Sequence, residues 1–369
     1  MFPVMNSASK INGIAFCVML GLMFLYSLPA VVDFSKTQNS AQSLELFLDG
    51  KLLRKFEQSY DKGIFIRDPS VKLWASTQYL LFKEGARGVV MGESGWLYTN
   101  QEYLVPNDLR HNLDNQIDKI AAVQALLKQH DKQLILMPIP MKVDIYAAHT
   151  RYAPDPRTQG LYEQFSEALQ ARDVRVNKIR EAFVAQHQNT ELFLKTDTHW
   201  SPAGAQLAAR EVARQNPQLV GDQPYVSTLV EEKAVKGDLM NYLQFDPRLA
   251  PDLFVPIQIP LYETTNPAQQ VSEDNLFGEK PQHIALVGSS YSKIDDWNFV
   301  GFLKEALQND LVTVAVEARG PFQAMDDFTR SDLLSNPDIQ TVIWEFPLRT
   351  VLAQRAGDKS WQAAQPQSF

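Results

Sequence analysis

A single cysteine, Cys17, in a chain of 369 residues excludes a disulfide within the chain and any zinc site built from cysteines. Cys17 lies inside an apolar run, where it reads as a small packed or lipid-facing hydrophobe. A basic surplus is missing as well: 35 Lys and Arg stand against 43 Asp and Glu, a net charge of −8. With no basic stripe to neutralise phosphates, the balance argues against a nucleic-acid binder. Internal repeats and low-complexity tracts are absent. At 45% hydrophobic and 21% charged, the composition is that of a globular protein rather than a disordered one. The length allows one large domain or two ordinary ones.

Long hydrophobic runs are scarce too, with one exception. Residues Ile11–Val32 carry no charge and follow directly on Lys10. A helix crossing a bilayer needs roughly 20 apolar residues, so this run is expected to span once. Lys10 and the amino group before it favour an N-terminus in the cytoplasm and everything after Val32 outside it. A cleaved signal peptide is the rival, but Leu28 and Pro29 before Ala30 make a poor cleavage site. The expected division is a cytoplasmic tail at 1–10, an anchor at 11–32, a helical connector at 33–75 and a globular domain at 76–369. In the connector, Leu44, Phe47, Leu48, Leu52, Leu53 and Phe56 fall near helical spacing.

Beyond the connector the pattern alternates. GARGVVMGESGWLY (85–98) suggests a strand and a tight turn, and Leu113, Ile117, Ile120 and Leu127 mark an amphipathic helix. QLILMPIP (133–140), HIALVG (283–288), LVTVAVEA (311–318) and TVIWEF (341–346) read as strands. Helices are expected near 160–171, 177–187, 297–307 and 323–335. Leu192–Leu194 reads as a short strand leading into TDTHWSPAG, where Ser201 and Pro202 start a helix as N-cap and first residue. Residues 215–280 look irregular and proline-bearing, loops or an insertion over the site. Alternating strands and helices predict an α/β fold with a mainly parallel sheet, which binds ligands beyond the carboxyl ends of its strands.

Two motifs sit at such ends. VGSSYS (287–292) carries an apolar strand into a glycine and two serines, a turn that exposes a hydroxyl beside backbone N–H groups. DTHW (197–200) puts Asp197 and His199 two residues apart, on one side of an extended chain, so that the carboxylate holds one imidazole tautomer. As two ligands of a metal they lack a third at a recognisable spacing. His111, His130, His149, His187 and His283 read as surface residues. Together the motifs supply the serine, histidine and aspartate of a hydrolase-type triad.

DTHW, GSSYS, GWLY (95–98), PIPMK (138–142), GDL (237–239) and WEFPLR (344–349) make the chain resemble the alginate O-acetyltransferases of the AlgJ/AlgX type, from about residue 45 to 353. The single apolar run matches the AlgJ-like arrangement. The resemblance implies an SGNH-hydrolase-like (flavodoxin-like) parallel sheet flanked by helices, with permuted motif order because Asp-x-His precedes the serine. Residue by residue it implies Ser290 as nucleophile, His199 as base and Asp197 as acid. Ser289 stands where a threonine is expected, and Glu317–Pro321 lacks glycines often seen before that proline.

The function implied is acetyl transfer, through a serine acyl-enzyme, to hydroxyls of an exported polysaccharide, alginate or bacterial cellulose. The site faces the periplasm from the inner membrane, with no metal and no organic cofactor. Partners implied are a polytopic membrane O-acyltransferase supplying acetyl groups and other polysaccharide synthesis and export subunits. Trp344 would stack on a sugar ring, or else fill the core; Arg349 would hold a carboxylate or hydroxyls; Tyr291 is a third substrate-binding candidate. Lys142 and Tyr146 follow a strand end and read as solvated rather than as cleft residues. A deacetylase with the same triad and a non-catalytic polysaccharide-binding subunit are the alternative functions.

Overall fold

A computed structural model describes residues 3–37, 46–63, 67–270, 281–317, 320 and 322–352. The chain forms two compact units, Met1–Thr77 and Gln78–Phe369. In the first, helix α1 (Pro3–Thr37) includes the stretch Lys10–Lys36, whose most apolar 18 residues have a mean hydropathy of 2.2. Its 27 residues rise about 1.5 Å each, more than a hydrocarbon core of roughly 30 Å requires. Helix α2 (Lys51–Gly63) follows, and α3 (Arg67–Phe82) runs across the division. Leu44, counted above among the helical positions, lies outside the described residues.

In the second unit, the glycine-rich stretch folds as predicted into a hairpin, β1 (Val89–Met91) against β2 (Leu97–Thr99). Helix α4 (Leu109–Gln129) buries Ile117, Ile120, Val123 and Leu127, the 3–4 spacing read from the sequence. It leads into β3 (Gln133–Ile139) and the short helix α5 (Lys142–Ile145). Then come α6 (Leu161–Gln170), β4 (Arg175–Val176), α7 (Arg180–Gln186) and α8 (Pro202–Gln215). Ser201 caps α8 by accepting from the Gly204 N–H, with Pro202 at its first position.

The sheet is completed by β7 (Ile284–Gly288), β8 (Leu311–Ala315) and β9 (Thr341–Pro347), in the order β4-β3-β9-β7-β8 with every pair parallel. Its central strands are almost wholly apolar because helices cover both faces. Helices α9 (Ser290–Lys293), α10 (Phe299–Leu307) and α11 (Gln323–Thr329) lie between them in the chain. Each fully buried Leu or Phe of this core contributes about 1.5–3 kcal/mol.

Two expectations fail. Residues 215–280 are not merely irregular: β5 (Val226–Val235) and β6 (Ile257–Thr265) form a long antiparallel ribbon. The ribbon hides in the sequence because β5 is exposed nearly throughout, leaving no apolar alternation, and Pro260 interrupts β6. A two-stranded ribbon is all edge, and an edge tolerates proline. Leu192–Leu194 is no strand either; only Phe193 and Trp200 bridge across the loop.

Candidate active site

Because the sheet is parallel, the ends of β3, β7 and β9 open on one edge, and the chemistry-bearing side chains gather there. At the end of β7 the chain must pass close over β9. A Cβ on Gly288 would lie 2.4 Å from Ser292 Oγ and 2.8 Å from Glu345 Oε2, so only glycine fits. Ser289 caps the following turn by accepting from the Tyr291 N–H, and Ser290 opens α9, half-buried. Beneath the turn stands Glu345, a buried carboxylate in β9. Oε2 accepts from the Ser289 N–H at 3.0 Å and the Ser292 hydroxyl at 2.5 Å; Oε1 accepts from the Ser289 hydroxyl at 2.7 Å. Burial pushes its pKa up, against the pull of these bonds.

Asp197 and His199 come from the loop between α7 and α8. They share a side, though not through the two-residue period of a strand. The Asp197 side chain folds back onto its own backbone, Oδ1 accepting from the His199 N–H at 2.9 Å. The same oxygen meets His199 Nδ1 at 2.6 Å, and Oδ2 accepts from the Asp238 N–H at 2.8 Å. Burial raises the Asp197 pKa, but these donors and the imidazole outweigh it and bring it to about 2. An ionised carboxylate only accepts, so Nδ1 carries the ring proton and Nε2 presents a lone pair. Nε2 lies 2.8 Å from Ser290 Oγ. The His199 ring packs against Tyr291 at 4.7 Å and lies nearly parallel to Trp297 at 5.8 Å.

A second carboxylate steadies the loop. Asp238 accepts from the Thr198 N–H at 2.8 Å and the Thr198 hydroxyl at 2.6 Å. Burial, then the charge of Asp197, raises its pKa. A Cβ on Gly237 would lie 2.0 Å from the Thr196 carbonyl, so the close approach depends on glycine. Asp197, His199 and Asp238 thus bring three ligand-type side chains within 4.8 Å, the third that spacing did not show. Their inward oxygens are already met by N–H and O–H donors, an arrangement for holding an imidazole rather than a cation.

The three side chains expected to act together therefore stand in one hydrogen-bonded line. The substrate-binding candidates fare differently. Trp344 is fully buried, packed against Phe322 and Phe346, so it has no face to offer a sugar. Tyr291 and Arg349 are buried too: Arg349 Nη1 donates to the Tyr291 hydroxyl at 2.6 Å, and that hydroxyl donates to the Thr198 carbonyl. They brace the histidine loop instead of facing a polymer. Lys142 and Tyr146, expected in solvent, are 2% and 4% exposed. Lys142 Nζ sits among four backbone carbonyls, and Tyr146 stacks on Trp96 at 4.1 Å. Of the five other histidines, four are half-buried and only His111 is exposed; His149 stacks on Trp96 at 5.0 Å. In the Glu317–Pro321 stretch, Ala318, Arg319 and Pro321 lie outside the described residues.

Glu345, Asp238 and Trp297 went unassigned in the sequence. Glu345 did leave a signal, one charge in an otherwise apolar parallel strand, TVIWEF.

Comparison with known proteins bears on this geometry. The profile of the family described as "SGNH hydrolase-like domain, acetyltransferase AlgX" matches residues 89–348. The "Probable alginate O-acetylase AlgJ" of Pseudomonas aeruginosa is 34% identical over 338 residues, covering 88% of this chain and 84% of that protein. The protein of the same name from Pseudomonas syringae pv. tomato is 32% identical, covering 90% and 86%. Among solved structures, the "O-Acetyltransferase Domain of Pseudomonas putida AlgJ" superposes with a TM-score of 0.65 at 29% identity, covering 72% of this chain and 93% of that one.

Proposed function

The chain belongs to the AlgX-type family of SGNH hydrolase-like acetyltransferases, and from that premise we propose that Ser290, His199 and Asp197 are its catalytic triad. The reaction is O-acetylation of a polysaccharide. We take the acceptor to be alginate, the polymer in the names of the relatives; none of those names speaks for cellulose. The observation that carries the reading is the unbroken line of bonds, 2.6 Å from Asp197 to His199 and 2.8 Å from His199 to Ser290.

His199 Nε2 takes the Ser290 hydroxyl proton as Oγ bonds to the carbonyl carbon of an acetyl ester. The N–H of Ser290, which meets no acceptor among the described residues, is the donor we assign to the oxyanion. Collapse expels the donor alcohol, which takes the proton from His199, and leaves acetyl-Ser290. A sugar hydroxyl then attacks, Nε2 accepts its proton, and the second collapse returns that proton to Ser290 Oγ. Asp197 stays ionised and stabilises the imidazolium in both halves. A non-catalytic binding subunit would have no use for this alignment.

Transfer and hydrolysis are told apart by products. With a nitrophenyl acetate donor, alginate oligomers are expected to speed donor turnover and to gain acetyl groups, read by mass spectrometry of the sugar. If alginate and cellulose oligomers both stay unmodified while pre-acetylated ones lose acetate, the protein is a deacetylase.

We also infer that α1 anchors the chain in the inner membrane, with residues 33–369 in the periplasm and the catalytic domain at 76–369. Acetyl-CoA is cytoplasmic, so the acetyl group would arrive through a polytopic membrane acyltransferase, alongside other polysaccharide synthesis and export subunits. A reporter fused after Phe369 is expected to be active only if of the kind that works outside the cytoplasm. Activity of a cytoplasm-only reporter there overturns this topology.

A further inference from the structure

Lys142 is the residue the triad does not use and the fold spends most on. It follows β3, and its peptide N–H and that of Val143 are both held by Glu102, at 3.1 and 2.8 Å. Glu102 is itself only 1% exposed. The side chain then runs inward past the rings of Trp96 and Tyr98, with Nζ 5.2 and 5.5 Å from their centres. It ends at four carbonyl oxygens: Leu97 at 2.7 Å, Leu194 at 2.6 Å, Lys195 at 2.9 Å and Asp197 at 2.9 Å. An ammonium has three N–H bonds, so with four acceptors at least one is shared.

Three of these carbonyls belong to residues 194–197, the stretch that delivers the Asp197 carboxylate. The fourth lies on β2, whose Leu97 N–H in turn binds the Lys195 carbonyl at 2.8 Å. Four carbonyl dipoles aimed at one buried point, beside an ionised carboxylate, repel one another unless a cation stands between them. The Phe193–Trp200 bridge ties the base of this loop and the Leu97 N–H ties Lys195, and the lysine gathers the carbonyls that these bonds leave facing inward.

We propose that Lys142 is a positioning residue for acetyl transfer, its ammonium gathering the Leu194, Lys195 and Asp197 carbonyls and so setting the line from Asp197 through His199 to Ser290. The proposal rests on the triad reading above. Burial draws the Lys142 pKa down and Glu102, Asp197, Asp238 and Glu191 pull against it, leaving it at about 7, while the charge of Arg349 acts on Glu102 from just beyond β9. Above that pH the neutral amine keeps two N–H bonds for four carbonyls. The clamp therefore slackens as pH rises through about 7.

The test uses the full-length protein in detergent, with nitrophenyl acetate as donor and the folded fraction taken from thermal melts. Lys142→Met is expected to lower kcat per folded molecule about 100-fold, the effect of a small misplacement of a catalytic group. The KM should stay within about twofold, because donor binding does not pass through Lys142. Wild-type kcat is expected to fall as pH rises through about 7, and Lys142→Met is expected to lack that fall. Lys142→Gln keeps two N–H donors and is expected to recover part of the loss, ending about tenfold below wild type. If Met fails to fold, Gln decides alone, a lowered kcat at steady KM supporting the proposal. Wild-type kcat per folded molecule in either variant, or a glutamine no better than methionine, makes Lys142 a mere structural brace and overturns it. Ser290→Ala is run beside them: if it stays active the triad reading itself has failed, whereas an inactive Ser290→Ala with an active Lys142→Met sinks only this inference.

Discussion

Ser290→Ala is expected to abolish acetyl transfer, a loss on the order of 10⁴-fold or more in kcat, with no acetylated enzyme detectable by mass spectrometry. Its neighbour is the built-in control. Ser289 Oγ donates to Glu345 at 2.7 Å and accepts from the Tyr291 N–H, so its hydroxyl is committed to the turn. Ser289→Ala removes that cap, at about 1 kcal/mol of stability. It also leaves Glu345 one donor short, yet the acyl-enzyme still forms. A dead Ser289→Ala beside a working Ser290→Ala would reverse the assignment.

Asp197→Asn is expected to lower kcat on the order of 10⁴-fold while leaving the fold intact, because the imidazole tautomer depends on the carboxylate. Both carboxylate oxygens are met by N–H donors, from His199 on one side and Asp238 on the other. An amide satisfies only one side. Facing its NH₂ to Asp238 opposes two donors. Facing it to His199 Nδ1 pushes the ring proton to Nε2, which then cannot accept from Ser290. The Asp197 pKa of about 2 adds a sign. A depressed carboxylate stabilises the fold above its unfolded pKa of about 3.9 and loses that contribution as pH falls through about 2. An acid limb in the rate at pH 5–7 therefore does not report Asp197. An Asp197→Asn enzyme within about tenfold of wild type would show that the carboxylate is not needed to set the tautomer.

What the chain discloses before folding is uneven, for physical reasons. β3, β7 and β9 are legible because strands covered on both faces are near-continuous apolar runs, broken in β9 by Glu345. The start of α8 is legible because a serine cap and a proline act locally. The β5–β6 ribbon is not, since its stability comes from pairing between strands and leaves little trace in either alone. The two-residue spacing pairs Asp197 with His199 through an extended chain, whereas in the fold a side chain turned back on its own backbone pairs them. Trp344 follows its strand into the core, where WEFPLR gives no clue to which of its residues keep a surface. Lys142 misleads most: a lysine is ordinarily solvated, and the carbonyls that receive it come from segments 45 to 55 residues away.

The place of β9 has a consequence for assembly in time. Among the described residues it is the last strand along the chain, and it lies in the middle of the sheet, between β3 and β7. Ribosomal order and spatial order are thus opposed. Until residues 341–347 arrive, β3 and β7 have no shared neighbour, and the Ser290 turn has no Glu345 beneath it. Such long-range closure is slow compared with helix formation. If Ser290 is the nucleophile, a chain truncated before β9 is expected to carry Asp197, His199 and Ser290 in its sequence yet form no acyl-enzyme, because the turn that presents Ser290 lacks the Glu345 acceptor beneath it.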